Sequence, residues 1–177
     1  MNVRLGLLLP FLFVCLFVCF FLIFTAKDFT FLMQADHGVR VGPWGGSGGG
    51  PWEFIPDGRI SQISIRSGSV VDAIYFVFTD RSGNNYRSLH FGGPGGFLHE
   101  IPLPIGEEII RISGRYGVFD GTTVITSLTF KTNRNTYGQY GTDGGTDFSL
   151  PITKGRIIGF YGMHGSLLDN IGVILCP

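Results

Sequence analysis

A block of about 48 residues recurs along this chain. Two copies end in the pattern Gly-x-x-x-Asp, and the final aspartate, Asp72 or Asp169, lies 14 residues after an earlier glycine. A third block fits the same spacing at Asp120, so the three aspartates are 48 and 49 residues apart. A fixed period of this length indicates one supersecondary unit in three copies that pack together.

Glycine pairs follow the same period, at Gly49-Gly50, Gly95-Gly96 and Gly144-Gly145. The middle copy of the block is altered, because Tyr116 stands where the other two copies have Gly68 and Gly165. We therefore expect three structural repeats and two functional sites.

The segments between the glycine-rich turns have the composition of strands. Residues 59–66 alternate apolar and polar side chains with a break in phase near Gln62, which indicates a strand with a bulge. Residues 73–79 are strongly β-prone, and a turn rich in Gly and Asn leads to a returning strand over 86–91. Because 38–177 shows no sustained helical period, we predict an all-β sandwich, barrel or prism of about twelve strands.

Charge and cysteine content exclude several classes of function. Lys and Arg together number 13, as do Asp and Glu, so no basic surface for nucleic acid is expected. Cys15 and Cys19 lie in an apolar segment, and Cys176 is isolated in the rest of the chain. Neither a disulfide framework nor a paired-cysteine metal site can be built from them. We expect no metal and no cofactor.

An uncharged apolar segment, residues 5–26, precedes the repeats. As a helix it would reach ~33 Å at ~1.5 Å per residue, enough to cross a bilayer core of ~30 Å. A cleaved signal peptide has a shorter apolar region and a small residue three positions before the cut, where a cut after Ala26 would place Phe24.

We therefore expect one N-terminal hydrophobic helix that acts as an uncleaved signal-anchor. The single-pass localisation places the remaining chain on the non-cytosolic side, because Arg4 is the charge that precedes the helix. Secretion after signal cleavage is the alternative, and a leader joined by an error in the gene model is a third. Residues 1–37 are then leader and linker, and 38–177 are the domain.

The glycine-rich loops together resemble those of the jacalin-related lectins, above all the mannose-specific, banana-lectin-like branch. The resemblance covers residues 38–177 and is carried by the Trp44-Gly45-Gly46 start, the two Gly-x-x-x-Asp loops and the glycine-rich loop over 91–96. It implies a β-prism I fold of three four-stranded Greek-key sheets about a pseudo-threefold axis. It also implies metal-independent binding of mannose- or glucose-type glycans, and pairing of two copies through the sheet that carries both chain ends.

The family's binding loops supply an aspartate and main-chain N–H groups, with one more N–H from a facing glycine pair. Carried onto this chain, site 1 comprises Gly49, Ser166, Leu167 and Asp169. Site 2 comprises Gly96, Ser69, Val70 and Asp72. Ser69 departs from the pattern, because the banana-lectin-like branch has an acidic residue there. If that side chain helps to hold the ligand or the loop, we expect site 2 to be the weaker site.

These residue types suit sugar recognition. An ionised aspartate only accepts hydrogen bonds, so it can receive two neighbouring hydroxyls at once, and glycine lets the main chain approach closely. A glycosidase would need two carboxylates about 5–10 Å apart across one sugar, whereas each site has one. We therefore expect no enzyme. The alternative function is a protein-interaction scaffold whose glycan sites are vestigial.

Overall fold

The computed structural model describes residues 38–177. They form thirteen strands: β1 (Val39–Gly45), β2 (Gly50–Phe54), β3 (Gly58–Ser67), β4 (Val71–Asp80), β5 (Asn85–Arg87), β6 (Phe91–Gly92), β7 (Phe97–Pro102), β8 (Ile109–Phe119), β9 (Thr122–Thr132), β10 (Thr136–Gly141), β11 (Thr146–Pro151), β12 (Arg156–His164) and β13 (Leu168–Cys176). No helix occurs in this part of the chain, and the all-β prediction is confirmed.

The strands pair into three antiparallel sheets of one topology. Sheet I has the order β1-β13-β12-β2, sheet II the order β5-β4-β3-β7 with β6 also on β4, and sheet III the order β10-β9-β8-β11. Each sheet is built on a central hairpin, and the outer strand on either side follows the Greek-key path. Sheet I combines the first two strands with the last two. The predicted three repeats are thus three sheets of equivalent strand order.

Sheet II has one strand more than predicted, because its outer strand is broken. The expected returning strand over 86–91 is divided into β5 and β6, which flank Ser88. The Phe76 N–H, which faces this outer strand, donates to the Ser88 hydroxyl at 2.9 Å. The Ser88 N–H donates to the Phe76 carbonyl, also at 2.9 Å. A side chain thus replaces one main-chain acceptor, and the ladder is interrupted there. The predicted bulge in β3 is confirmed by a register shift between Ile60 and Gln62.

The inner faces of the sheets enclose an aromatic core. Phe76 of sheet II is fully buried and stacks on Phe54, at 4.6 Å between ring centroids, and on Phe160, at 5.0 Å. Phe130 of sheet III meets Phe160 edge to face at 6.3 Å. Alternate residues along each strand supply these side chains, because successive residues of a strand point to opposite faces. Packing in this core holds the three sheets against one another, and with them the glycine-rich loops at the ends of their strands.

The predicted single-pass membrane localisation is corrected. Within residues 38–177 no helix is long and apolar enough to cross a membrane. The expected N-terminal helix over 5–26, together with the rest of the leader and linker 1–37, lies outside the described residues. The described residues thus give no support for a membrane anchor.

Candidate functional site

Three corners at one end of the prism carry the glycine-rich loops. In each corner, the N–H of the residue that opens one loop donates to a carbonyl of the facing strand. The three bonds are Gly46 to Asp169 at 2.9 Å, Gly93 to Asp72 at 3.0 Å, and Thr142 to Thr126 at 3.0 Å. Asp72, Asp169 and Thr126 are therefore equivalent positions of the three repeats.

The loop of site 1 is a tight turn between β12 and β13. The Gly165 N–H donates to the Leu167 carbonyl at 3.0 Å, which closes the turn. Ser166 is exposed and Leu167 is half-buried. The N–H groups of these two residues donate to no acceptor in the described chain. The turn therefore presents two unused donors beside Asp169.

Asp169 lies almost wholly within a cradle of glycine main chain. Its side chain is 4% exposed, and Oδ2 has no hydrogen-bond partner among the described residues. A Cβ added to Gly48 would lie 2.8 Å from Oδ1, and one added to Gly49 would lie 2.7 Å from Oδ2. Gly49 also has a φ of 66°, in the left-handed region. The facing turn can approach the carboxylate this closely only because it has no side chains there.

Site 2 repeats this geometry between β3 and β4. The Gly68 N–H donates to the Val70 carbonyl at 3.0 Å. The N–H groups of Ser69 and Val70 have no acceptor within the described residues. Gly96 has a φ of 63°, and a Cβ added to it would lie 2.5 Å from Asp72 Oδ2. The two Gly-x-x-x-Asp loops predicted from the sequence thus have the same conformation.

The pKa of the Asp72 carboxyl is shifted by its surroundings. Burial raises its pKa above the ordinary value, and the Gly68 N–H and the Arg66 guanidinium oppose that rise. Arg66 also donates to the carbonyls of Gly95 and Gly96, at 2.7 and 2.8 Å. Arg66 was not predicted as a site residue from the sequence. Its place two residues before Gly68 is the feature of the sequence that could have indicated a role at this loop.

The third corner differs from the prediction made for Asp120. Asp120 lies at the tip of the β8–β9 hairpin with a φ of 47°, next to Gly121 with a φ of 76°. The equivalent of the two site aspartates is Thr126, whose hydroxyl donates to the Gly144 carbonyl at 2.7 Å. Thr126 follows Gly106 by 20 residues rather than 14, because this hairpin is longer. The even spacing of Asp120 therefore did not indicate structural equivalence.

Tyr116 is also displaced by one position from its predicted place. Its carbonyl faces Gly145 as the His164 carbonyl faces Gly49 in site 1. Gly117 is the residue that lies over the facing pair, since a Cβ added to it would be 3.1 Å from the Gly145 α-carbon. At the position of the site aspartates this corner therefore has the hydroxyl of Thr126 rather than a carboxylate.

Aromatic and acidic side chains near the loops have structural contacts. Trp44 stacks on Phe148 at 4.8 Å between centroids, and Trp52, which is 6% exposed, stacks on Phe91 at 4.4 Å. Both tryptophans therefore pack between sheets. His164 meets the edge of Phe91, at 5.9 Å between centroids. Asp143 and Asp147, beside the third glycine pair, both lie near Arg115.

Among residues 38–177, no group of three or more His, Cys, Asp or Glu side chains is placed to hold a metal ion. Each of the two aspartate corners has one carboxylate, main-chain N–H groups and glycine. Such a set can accept hydrogen bonds from hydroxyls and donate others to neutral oxygens.

Three Greek-key sheets of one topology, with loops of this kind gathered at one end, define a β-prism protein. The chain belongs to the Jacalin-like lectin domain family, which it matches over residues 41–174. The resemblance drawn from the glycine-rich loops is confirmed.

Individual relatives agree with this assignment. The chain is 41% identical to a mannose/glucose-specific lectin of Parkia pendula, in an alignment that covers 78% of this chain and 32% of that protein. It thus spans about a third of that relative's length. It is 42% identical to jacalin-related lectin 19 of Arabidopsis thaliana, with 76% of this chain and 78% of the relative covered.

Solved structures show the same fold. Wild-type Malaysian banana lectin has a TM-score of 0.74 and 43% identity, covering 79% of this chain and 99% of that one. A mannose-specific jacalin-related lectin from Morus nigra, solved with mannose, has a TM-score of 0.73 and 37% identity, covering 80% and 96%. The β-prism prediction is therefore confirmed for the described residues.

Proposed function

We propose that residues 38–177 are a lectin domain that binds mannose- or glucose-type glycans at two metal-independent sites. Site 1 comprises Gly49, Ser166, Leu167 and Asp169, and site 2 comprises Gly96, Ser69, Val70 and Asp72. The proposal is supported by the family, by relatives named as mannose/glucose-specific lectins, and by the shared geometry of the two loops.

One observation carries the proposal. At site 1 the unused N–H groups of Ser166 and Leu167 lie in the same five-residue turn as a carboxylate whose Oδ2 has no partner in the described chain. A buried polar atom without a partner is costly, so a native fold retains one where a ligand or water supplies the bond. Adjacent sugar hydroxyls supply both the donors that Asp169 lacks and the acceptors that the N–H groups lack.

The donor set favours binding over catalysis. Each site offers one carboxylate, whereas glycoside hydrolysis ordinarily uses a pair, an acid and a nucleophile or base. The relatives named above are lectins. A shallow polar site binds one sugar weakly, so strength comes from several sites acting together. Sheet I, which carries both ends of the domain, stays the predicted surface for pairing with a second copy.

A glycan array tests the proposal with the full chain and the D72N/D169N variant. We expect signal on mannose- and glucose-terminated glycans, little on galactose-terminated ones, and none from the double variant. The variant's melting temperature serves as the control for folding. A folded wild-type protein with a blank array would overturn the proposal and favour the scaffold alternative.

A further inference from the structure

Arg66 lies on β3 at the edge of site 2, and it is bonded to the facing turn rather than to a carboxylate. Its Nε donates to the Gly95 carbonyl at 2.7 Å, and its Nη2 donates to the Gly96 carbonyl at 2.8 Å. Within residues 38–177 it forms no ion pair. One planar guanidinium therefore binds two successive carbonyls of the glycine pair, a geometry that a single ammonium group cannot reproduce.

The equivalent positions in the other corners have different contacts. Register places Arg66 opposite Ala73, the residue after Asp72. By the same register, the equivalent in sheet I is Met163, opposite the residue after Asp169, and in sheet III it is Arg115. Met163 has no such donor. Arg115 instead donates to the Asp147 carboxylate at 2.7 Å. Of the three corners, site 2 is thus the one in which an arginine binds both carbonyls of the glycine pair.

We propose that Arg66 is a positioning residue for site 2, which it makes competent to bind by fixing the Gly95-Gly96 turn against Asp72. The inference rests on the proposed function and deepens it. It concerns how one of the two sites is organised, and it assigns Arg66 no contact with the sugar.

The peptide plane gives the first reason. In a trans peptide the C=O and N–H groups point in opposite directions. Holding the Gly95 carbonyl on Arg66 therefore fixes the direction of the Gly96 N–H, which is the donor assigned to site 2. Because glycine has the largest conformational freedom of any residue, an unclamped Gly-Gly turn would lose more entropy on binding a ligand.

Charge gives the second reason. Burial raises the pKa of Asp72, and a protonated carboxyl accepts fewer hydrogen bonds than a carboxylate. The positive charge of Arg66 acts against this rise. The other charged or titratable side chains on the strands that flank β3 and β4 are His99 and Glu100 of β7 and Tyr86 and Arg87 of β5. Removing Arg66 raises the pKa of Asp72 further, so acid abolishes binding at a higher pH.

The test uses the full chain with Asp169→Asn, so that site 2 alone contributes to binding. D-Mannose is titrated into this protein and into versions that also carry Arg66→Met or Arg66→Lys. Methionine is chosen because Met163 occupies the equivalent position beside site 1. We expect Arg66→Met to weaken binding about tenfold, because the Gly96 N–H is no longer held in place and about one hydrogen bond to the sugar is lost. We also expect the midpoint of the acid loss of binding to move to higher pH. Arg66→Lys keeps the charge and should restore the midpoint, with only part of the affinity.

Arg115→Met is the matched control, because it removes the same charge from the equivalent place in the corner where Thr126 stands in place of the site aspartate. It should leave both affinity and midpoint unchanged. Unchanged affinity or midpoint in Arg66→Met, or an equal loss in Arg115→Met, would overturn the role of Arg66. Absence of all binding in folded Asp169→Asn would overturn it too, since site 2 is then not competent. Binding by D72N/D169N would instead overturn the proposed function itself.

Discussion

Replacing Gly49 by alanine adds one methyl group inside site 1. The new Cβ would lie 2.7 Å from Asp169 Oδ2 and would also overlap the His164 carbonyl. The φ of 66° at this position costs an alanine about 1–2 kcal/mol, because Cβ crowds the following carbonyl. Either the turn or the carboxylate must move, and the hydrogen bonds that depend on both are lost or lengthened.

Two magnitudes follow for Gly49→Ala. The strain lowers the free energy of unfolding by about 1–2 kcal/mol, a fall in melting temperature of about 2–8 °C for a domain of this size. Loss of one hydrogen bond to the carboxylate weakens mannose binding by about 1.5–3 kcal/mol, or roughly 10- to 150-fold.

Calorimetric titration of mannose into the Asp72→Asn protein measures this effect, since site 1 alone then binds. Gly50→Ala is the matched control, because a Cβ added to Gly50 meets nothing within 4 Å and its φ lies outside the left-handed region. The control should bind as the parent does. Equal affinity of Gly49→Ala and Gly50→Ala would refute the reasoning that the glycine turn must lie against Asp169.

Three further predictions concern the core and site 2. Phe76→Ala should lower the free energy of unfolding by about 3–5 kcal/mol in denaturant titrations, because it leaves a cavity between Phe54 and Phe160. Ser88→Ala removes the acceptor of the Phe76 N–H and should cost about 1–3 kcal/mol in the same assay, whereas an unchanged midpoint would contradict that bond's role. In the Asp169→Asn protein, mannose binding should disappear as pH falls through the raised pKa of Asp72. A loss only below pH ~3.9, the ordinary aspartate value, would contradict the raised pKa.

The sequence was sufficient to predict the sheets and two of the corners. Glycine pairs and Gly-x-x-x-Asp loops are local patterns, and the structure places Asp72 and Asp169 in the same turn conformation. The third corner could not be found by spacing. Insertion of residues into the β8–β9 hairpin moved the equivalent position to Thr126, while Asp120 kept the period by coincidence at the hairpin tip.

Interactions that depend on strand register could not be predicted from local sequence patterns. Arg66 bonds to glycines 29 and 30 residues away, and only the pairing of β3 with β7 brings them together. The break in the outer strand of sheet II likewise depends on Ser88 reaching the Phe76 N–H across the sheet. A serine within a β-prone segment gives no sign of which main-chain donor it will meet.

The most direct test of the central claim is the mannose-binding capacity of the full chain compared with Asp169→Asn and D72N/D169N. Equilibrium titration followed by NMR can count the sites even when affinity is low. The account predicts two sites in the parent, one in the single variant and none in the double variant, with all three proteins folded. Undiminished binding by the double variant would show that the sugar lies elsewhere and would contradict the account.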